Sequence, residues 1–255
     1  PPEVLEGGRF AGDQWVDQNG FCFVWCPAAT FMMGDKAFED SQPVKVTLSK
    51  GFWIGKYETL GDEANLFNAG GQKLGNKYAK FLPPGISSVD KVSPEIVKWQ
   101  GYGASKGLAY KGWTYDYPTE AEWEYAASGP DTHCFPWGET PPTLERANLD
   151  YRHGGPIDVR ALPAGDSPFG CRQMTGTVWE WTGDQFLPYD GFKVDMYPFM
   201  STLQFGDHKV TRGGGCATSS CLIRGTYRQA YLPLRNDVYT GFRTCALSDS
   251  ASGTR

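Results

Sequence analysis

The chain has 255 residues, 40% of them hydrophobic and 21% charged, with 32 glycines, 18 prolines and 9 tryptophans. This composition excludes a disordered chain or a coiled coil, and a domain of such length buries about three quarters of its unfolded surface without a metal or disulfide staple. The net charge of −5 comes without any run of lysine or arginine, so neither nucleic acid nor an anionic membrane surface is an expected partner.

In chain order, residues 1–19 read as an N-terminal extension to a single domain over 20–246, and 247–255 as a tail. Aromatic and β-branched runs bounded by glycine and proline predict strands at Phe21 to Trp25, Thr30 to Asp35, Val44 to Leu48 and Gly51 to Glu58. Thr59 can cap a short helix over 62–68 that Gly70-Gly71 stops, and 70–100 reads as a loop-rich insertion. The clearest helix starts at Thr119, where Thr119 and Glu122 have capping-box spacing and Gly129-Pro130 ends the run, with Trp123, Ala126 and Ala127 facing inward. Its carboxylates, Glu120, Glu122 and Glu124, are expected to answer the free N–H groups and dipole of the first turn rather than to do acid/base chemistry. Beyond Pro130 the backbone is expected to be irregular, with Arg212, Arg224, Arg228, Arg235 and Arg243 bracing its loops.

Seven cysteines, at 22, 26, 134, 171, 216, 221 and 245, include no C-x-x-C pair, and His133, His153 and His208 lack ligand spacing, so no zinc site is expected. Cys22 and Cys26 fall on one face of a strand and read as small core thiols. No apolar run approaches the roughly twenty residues of a membrane span. Pro1-Pro2-Glu3 does not open a signal peptide, so an exported form would have had its signal removed.

Phe31-Met32-Met33-Gly34-Asp35, Phe52 to Glu58, Tyr117-Pro118-Thr119-Glu120-Ala121-Glu122-Trp123-Glu124-Tyr125-Ala126, Phe135-Pro136-Trp137-Gly138, Gly176-Thr177-Val178-Trp179-Glu180-Trp181, Arg212-Gly213-Gly214 and Gly241-Phe242-Arg243 follow one another along the chain. This succession resembles the formylglycine-generating-enzyme (sulfatase-modifying factor) family. The resemblance implies an α+β fold, an elaborated C-type lectin with little regular secondary structure. Three activities occur on that scaffold: copper-dependent oxidation of cysteine to formylglycine, sulfoxide synthesis with non-haem iron, and ligand binding. Fold alone does not choose among them.

Cys216 and Cys221 have the mutual separation of the oxidase cysteines, which bind Cu(I) as thiolates. They stand out of register, four and nine residues beyond Arg212, with Thr218 where the first oxidase cysteine belongs and Gly215 in place of a serine. The iron branch needs a histidine-rich ligand set. These departures lead to the expectation that the chain is not an enzyme, with the copper oxidase using Cys216 and Cys221 as the alternative.

The segment 216–239 lacks hydrophobic periodicity and contains no Lys, Glu, Met or Trp. In that it resembles the variable proteins of diversity-generating retroelements, the treponemal kind in particular, where adenine mutagenesis turns Asn codons into Cys, Ala, Thr, Ser, Leu, Ile, Tyr, Asp or Val. The resemblance implies a surface lipoprotein with a variable region over about 212–243, expected as a monomer. Its partner would be a diversified ligand, a protein or another cell-surface molecule, and its contact with the membrane would be only through a lipid anchor.

The expected binding residues are Cys216, Ala217, Thr218, Ser219, Ser220, Cys221, Leu222, Tyr227, Ala230, Tyr231, Leu232, Leu234, Asp237, Val238 and Tyr239, with the tyrosines as rigid anchors. The alternative for Leu222, Ile223 and Leu234 is inward packing. Arg224, Gly225, Arg228, Pro233, Arg235 and Asn236 read as framework. The family resemblance also implies calcium at Gln173, Gly176, Val178 and Glu180, although glutamine at 173 replaces an asparagine, and a second such place beginning at Asn148 and Leu149.

Overall fold

The computed structural model describes residues 7–17, 20–37, 41–59, 113–193, 203–233, 235 and 237–248. The helix expected over 62–68 and the loop over 70–100 lie outside the described residues, as do Leu234, Asn236 and most of the tail. In chain order the strands are β1 (Gln14–Val16), β2 (Cys22–Cys26), β3 (Ala29–Met33), β4 (Val44–Leu48), β5 (Phe52–Gly55), β6 (Trp113–Asp116), β7 (Trp179–Gln185), β8 (Lys209–Arg212), β9 (Gln229–Tyr231), β10 (Thr240–Gly241) and β11 (Cys245–Ser248). One helix, α1 (Glu120–Ser128), and a 3-10 turn at Pro163–Gly165 complete the regular structure among these residues.

The four strands expected in the first 60 residues are present, and they divide between two sheets. β1, β2, β5, β11 and β6 form a five-stranded sheet in that order, β3 and β4 form a hairpin, and β10, β7, β8 and β9 form a four-stranded sheet. β10 runs parallel to β7, while β8 is antiparallel to both β7 and β9. Residues 14–16, read as part of an extension, pair with Val24, Phe23 and Cys22, because the Trp15 ring stacks on Phe23 at 5.2 Å and tilts against Trp53 at 5.9 Å. That aromatic layer explains why Phe23 to Cys26 are buried in succession rather than alternately. One face packs on the core beside α1, and the other lies under tryptophan rings. Gly8 belongs to this cover, since a Cβ there would come within 2.4 Å of Trp25 Cγ.

Thr119 caps α1 as expected: Glu122 N–H donates to Thr119 Oγ1 at 3.2 Å, and Thr119 N–H donates to Glu122 Oε2 at 2.7 Å. Trp123, Ala126 and Ala127 enter a core with Val24, Phe31, Phe52, Ile54 and Met174. Cys26, Cys171 and Cys245 lie in the same core as free thiols. Burial is the first cause that pushes the Cys26 thiol well up and the Cys171 thiol up to about 11.

The other two helix carboxylates depart from expectation. Glu120 Oε1 accepts from Arg212 Nη1 at 3.0 Å and from Arg228 Nε at 2.6 Å, and Glu124 binds Arg212 Nη2 with one oxygen and Gly34 N–H with the other at 2.7 Å. Arg212 is fully buried, lies over the Trp123 ring, and also donates to Gly225 O at 3.0 Å and Thr226 O at 3.3 Å. Arg243, equally buried, makes a two-point pair with Glu180 at 2.6 and 2.7 Å. It also reaches Gly55 O, Lys56 O and Arg172 O at 2.9, 3.3 and 2.9 Å. The expectation that arginines brace irregular loops is met by multidentate donors that lysine would lack.

Breaking a buried pair strands a charge in the interior and costs about 3–5 kcal/mol. Glu180→Gln is expected to lower stability by that amount in urea denaturation. Arg224→Ala, which removes a half-exposed pair with Asp35 at 3.1 Å, is expected to cost about 1 kcal/mol or less.

Candidate functional site

The C-terminal segment leaves β8 at Gly213 and Gly214, whose φ values of 90° and 87° suit glycine. Gly213 is further constrained, because a Cβ would come within 3.0 Å of Met174 O. The chain then folds back in tight turns: Thr218 N–H donates to Gly215 O at 2.8 Å, and Leu222 N–H to Ser219 O at 3.1 Å. This loop is sewn to its surroundings by Cys216 N–H to Thr177 O at 2.9 Å, Asp150 N–H to Thr218 O at 2.9 Å and Tyr151 N–H to Cys216 O at 2.7 Å. Ser220 N–H adds a bond to Asp150 Oδ1 at 2.9 Å. Further along, Gly225 N–H donates to Cys134 O at 2.8 Å, while Arg224 and Thr226 both reach Asp35.

These bonds orient the expected binding residues in different ways. Ala217, Ser219, Cys221 and Leu222 project to solvent, as do Leu232 and Asp237; Thr218, Ser220, Tyr227, Val238 and Tyr239 are half-buried. Tyr227 leans on Trp179, with ring centroids 6.0 Å apart. Asp237 is held by Arg235 at 2.7 Å.

Three assignments are corrected. Cys216 is fully buried, Ala230 packs with Phe186 and Val210, and Tyr231 packs edge-on against Trp179 and Trp181 at 6.2 and 6.4 Å. β9 is covered on both faces, so neither Ala230 nor Tyr231 is displayed. Of the aliphatics whose direction was open, Leu222 is 41% exposed and Ile223 only 2%. Arg228, Arg224 and Gly225 are framework, as read: Arg228 is clamped between the Phe186 and Tyr189 rings at 4.6 and 4.1 Å.

Asp150 and Tyr151, not among the expected residues, belong to the same face. They carry the loop contacts above, and the Tyr151 hydroxyl is hydrogen-bonded to that of Tyr239, which helps push the latter up to about 12. No motif in the sequence marks them.

The geometry also bears on the two metals that the family resemblance implies. Both Glu180 oxygens are engaged, by Arg243 and by Trp123 Nε1 at 2.8 Å. The Gln173 amide is spent on Asp158 O at 2.6 Å and on the Thr177 hydroxyl. As arranged, Gln173, Gly176, Val178 and Glu180 do not fit calcium, which takes six to eight oxygen ligands. At the second place, Asn148 Nδ2 donates to Gly155 O at 2.8 Å, while the buried Oδ1 has no hydrogen-bond partner. For copper, Cys221 is exposed whereas burial pushes the Cys216 thiol up to about 11. Two thiols in such unlike surroundings do not fit a ready thiolate pair. Among the described residues no group of three or more His, Cys, Asp or Glu could hold a metal ion.

A family model described as the sulfatase-modifying factor enzyme 1-like domain matches residues 16–247. The chain is 37% identical over 145 residues to a hercynine oxygenase of Mycolicibacterium smegmatis, a match covering 53% of this chain and 34% of that protein. It is 42% identical over 94 residues to a formylglycine-generating enzyme of Mycobacterium tuberculosis, covering 32% and 31%. It thus spans about a third of the length of these curated relatives. Among solved structures it is similar to variable protein 1 of Treponema denticola, with a TM-score of 0.66, 19% identity and coverage of 91% and 98%. That likeness bears out the expected α+β fold. The relatives named as enzymes overturn the expectation that the chain is not an enzyme: the displaced cysteine pair is a local departure, whereas the similarity to enzymes runs through the scaffold.

Asp35 ties the C-terminal segment to the β3 end, and its pKa follows from that role. Burial alone would raise it, but the Ala37 N–H, the Thr226 hydroxyl and Arg224 bring it below the usual aspartate value. A depressed carboxylate contributes stability that is full above its unfolded pKa and lost as pH falls through the folded one. Asp35→Asn is therefore expected to lower the Tm at pH 7 and to narrow its difference from the parent as pH drops below about 4, measured by calorimetry across pH.

Proposed function

Since the chain belongs to the sulfatase-modifying factor enzyme 1-like family, with residues 16–247 on that scaffold, we propose that its segment 212–243 carries a ligand-binding surface whose outward side chains a diversity-generating retroelement exchanges. One observation carries the reading. Ala217, Ser219, Cys221 and Leu222 project to solvent from a backbone held by main-chain bonds and by Asp150. They lie outside the core, with Ser219 Oγ accepting only a long bond from Cys221 N–H at 3.4 Å, and the tyrosines beside them are of the kind that binding loops favour. The missing Lys, Glu, Met and Trp in 216–239 are what adenine-limited changes to Asn codons would leave out. The ligand in this reading is a protein or another cell-surface molecule, and the chain is displayed as a surface lipoprotein.

Sequencing the locus and a population of its 3′ ends tests this. The expected result is a near-copy of codons 212–243 beside a reverse transcriptase, with variation confined to adenine positions and concentrated at 217, 219, 221 and 222. Changes scattered evenly over the gene would contradict it.

The relatives named formylglycine-generating enzyme favour a second reading, copper-dependent oxidation through Cys216 and Cys221. The burial of Cys216 predicts no stoichiometric Cu(I) uptake that depends on both thiols. Uptake lost in both Cys216→Ala and Cys221→Ala, with turnover of a cysteine peptide, would establish the oxidase.

A further inference from the structure

We infer that Tyr151 is a fixed anchor of the binding face, contributed from outside the variable segment, and that the partner it meets is a protein surface. The inference rests on the binding role proposed above for 212–243.

The backbone is the first indication. Asp150 and Tyr151 have φ of 56° and 57°, and Arg152 N–H closes the turn to Leu149 O at 3.1 Å. Two successive left-handed residues in a four-residue turn are the pattern in which asparagine and glycine normally stand. A bulky tyrosine there is an outlier, and such strain persists only where the surroundings over-determine it. Here they do: Tyr151 N–H is bound to Cys216 O, Asp150 N–H to Thr218 O, and Ser220 N–H to the Asp150 carboxylate, whose pKa that last bond lowers.

The side chain is the second indication. This constrained turn does not bury its ring: Tyr151 is 50% exposed and stands beside Tyr239 of the variable segment. Tyrosine loses little rotamer freedom on binding and offers a broad apolar face with a polar tip. Tyr151 lies outside the segment that changes, so it is a contact that every variant of this surface retains.

Charge indicates the partner. Arg152 stands 3.2 Å from Asp150, so this turn carries no net charge. Recognition is left to Tyr151, Tyr239, Leu222, Ala217 and Ser219, a neutral mixture of aromatic, aliphatic and small hydroxyl groups like that of protein-binding loops.

The test is a displayed library of the full chain randomised at 217, 219, 221 and 222, selected in parallel against immobilised lysozyme and immobilised mannan. The expected result is lysozyme binders in which Tyr151→Asn weakens affinity about thirtyfold or more, the effect of removing a central tyrosine. Asparagine tolerates the left-handed backbone, so the Tm and circular dichroism of that variant should match the parent, and Tyr151→Phe should keep binding. Lysozyme binders unaffected by Tyr151→Asn would overturn the anchor and leave the proposed binding role standing. Binders to mannan alone would overturn the protein partner. A folded library that yields no binder to either probe would overturn the binding role itself, and the anchor with it.

Discussion

Two guanidinium groups buried to zero exposure, those of Arg212 and Arg243, set the conditions for everything around them. A charge in a protein interior is tolerable only when it is paired and hydrogen-bonded. Glu120, Glu124 and Glu180 supply the pairing, and main-chain carbonyls of otherwise irregular loops supply further acceptors. Loops that would lack partners for their own polar groups are thereby fixed from within. The helix α1 is less a structural rod than a holder for two carboxylates that meet the C-terminal segment about ninety residues away.

This arrangement separates the determinants of fold from those of surface chemistry. Residues that lock the C-terminal segment point inward or belong to the main chain: Arg212, Ile223, Gly225, Thr226, Arg228, Ala230 and Tyr231 are buried. The residues between them that face solvent make few commitments to the interior. Enzymes and variable proteins share the scaffold because the site is made by loops laid over it, and the same bracing serves either use.

Local signals in the sequence were legible and distant ones were not. The cap of α1 is a three-residue relation, Thr119 with Glu122, and appears as read. The strands of the first 60 residues carry their own β-branched and aromatic pattern. Glu120 and Glu124 sit in a first turn where a dipole explanation suffices, and nothing nearby reveals that their partners are Arg212 and Arg228. The inward direction of Ala230 and Tyr231 is not legible in the sequence, because β9 is covered on both faces, which erases the alternation that marks an inward side. Tyr151 is silent in the sequence for another reason: its left-handed turn lacks the glycine or asparagine that announces one. The displaced cysteine pair is real, but a motif of two residues carried less weight than similarity running along the scaffold.

A binding surface of exchangeable side chains requires a backbone over 213–222 that is held independently of them. Amide hydrogen exchange on the parent and on a variant combining Ala217→Tyr, Ser219→Asn, Cys221→Tyr and Leu222→Asp tests it most directly. The prediction is unchanged protection at Asp150, Tyr151, Cys216 and Ser220, whose N–H groups are the loop's fixed bonds. Loss of protection at these four amides in the substituted chain would contradict it, and would mean that the exposed side chains help to hold the fold.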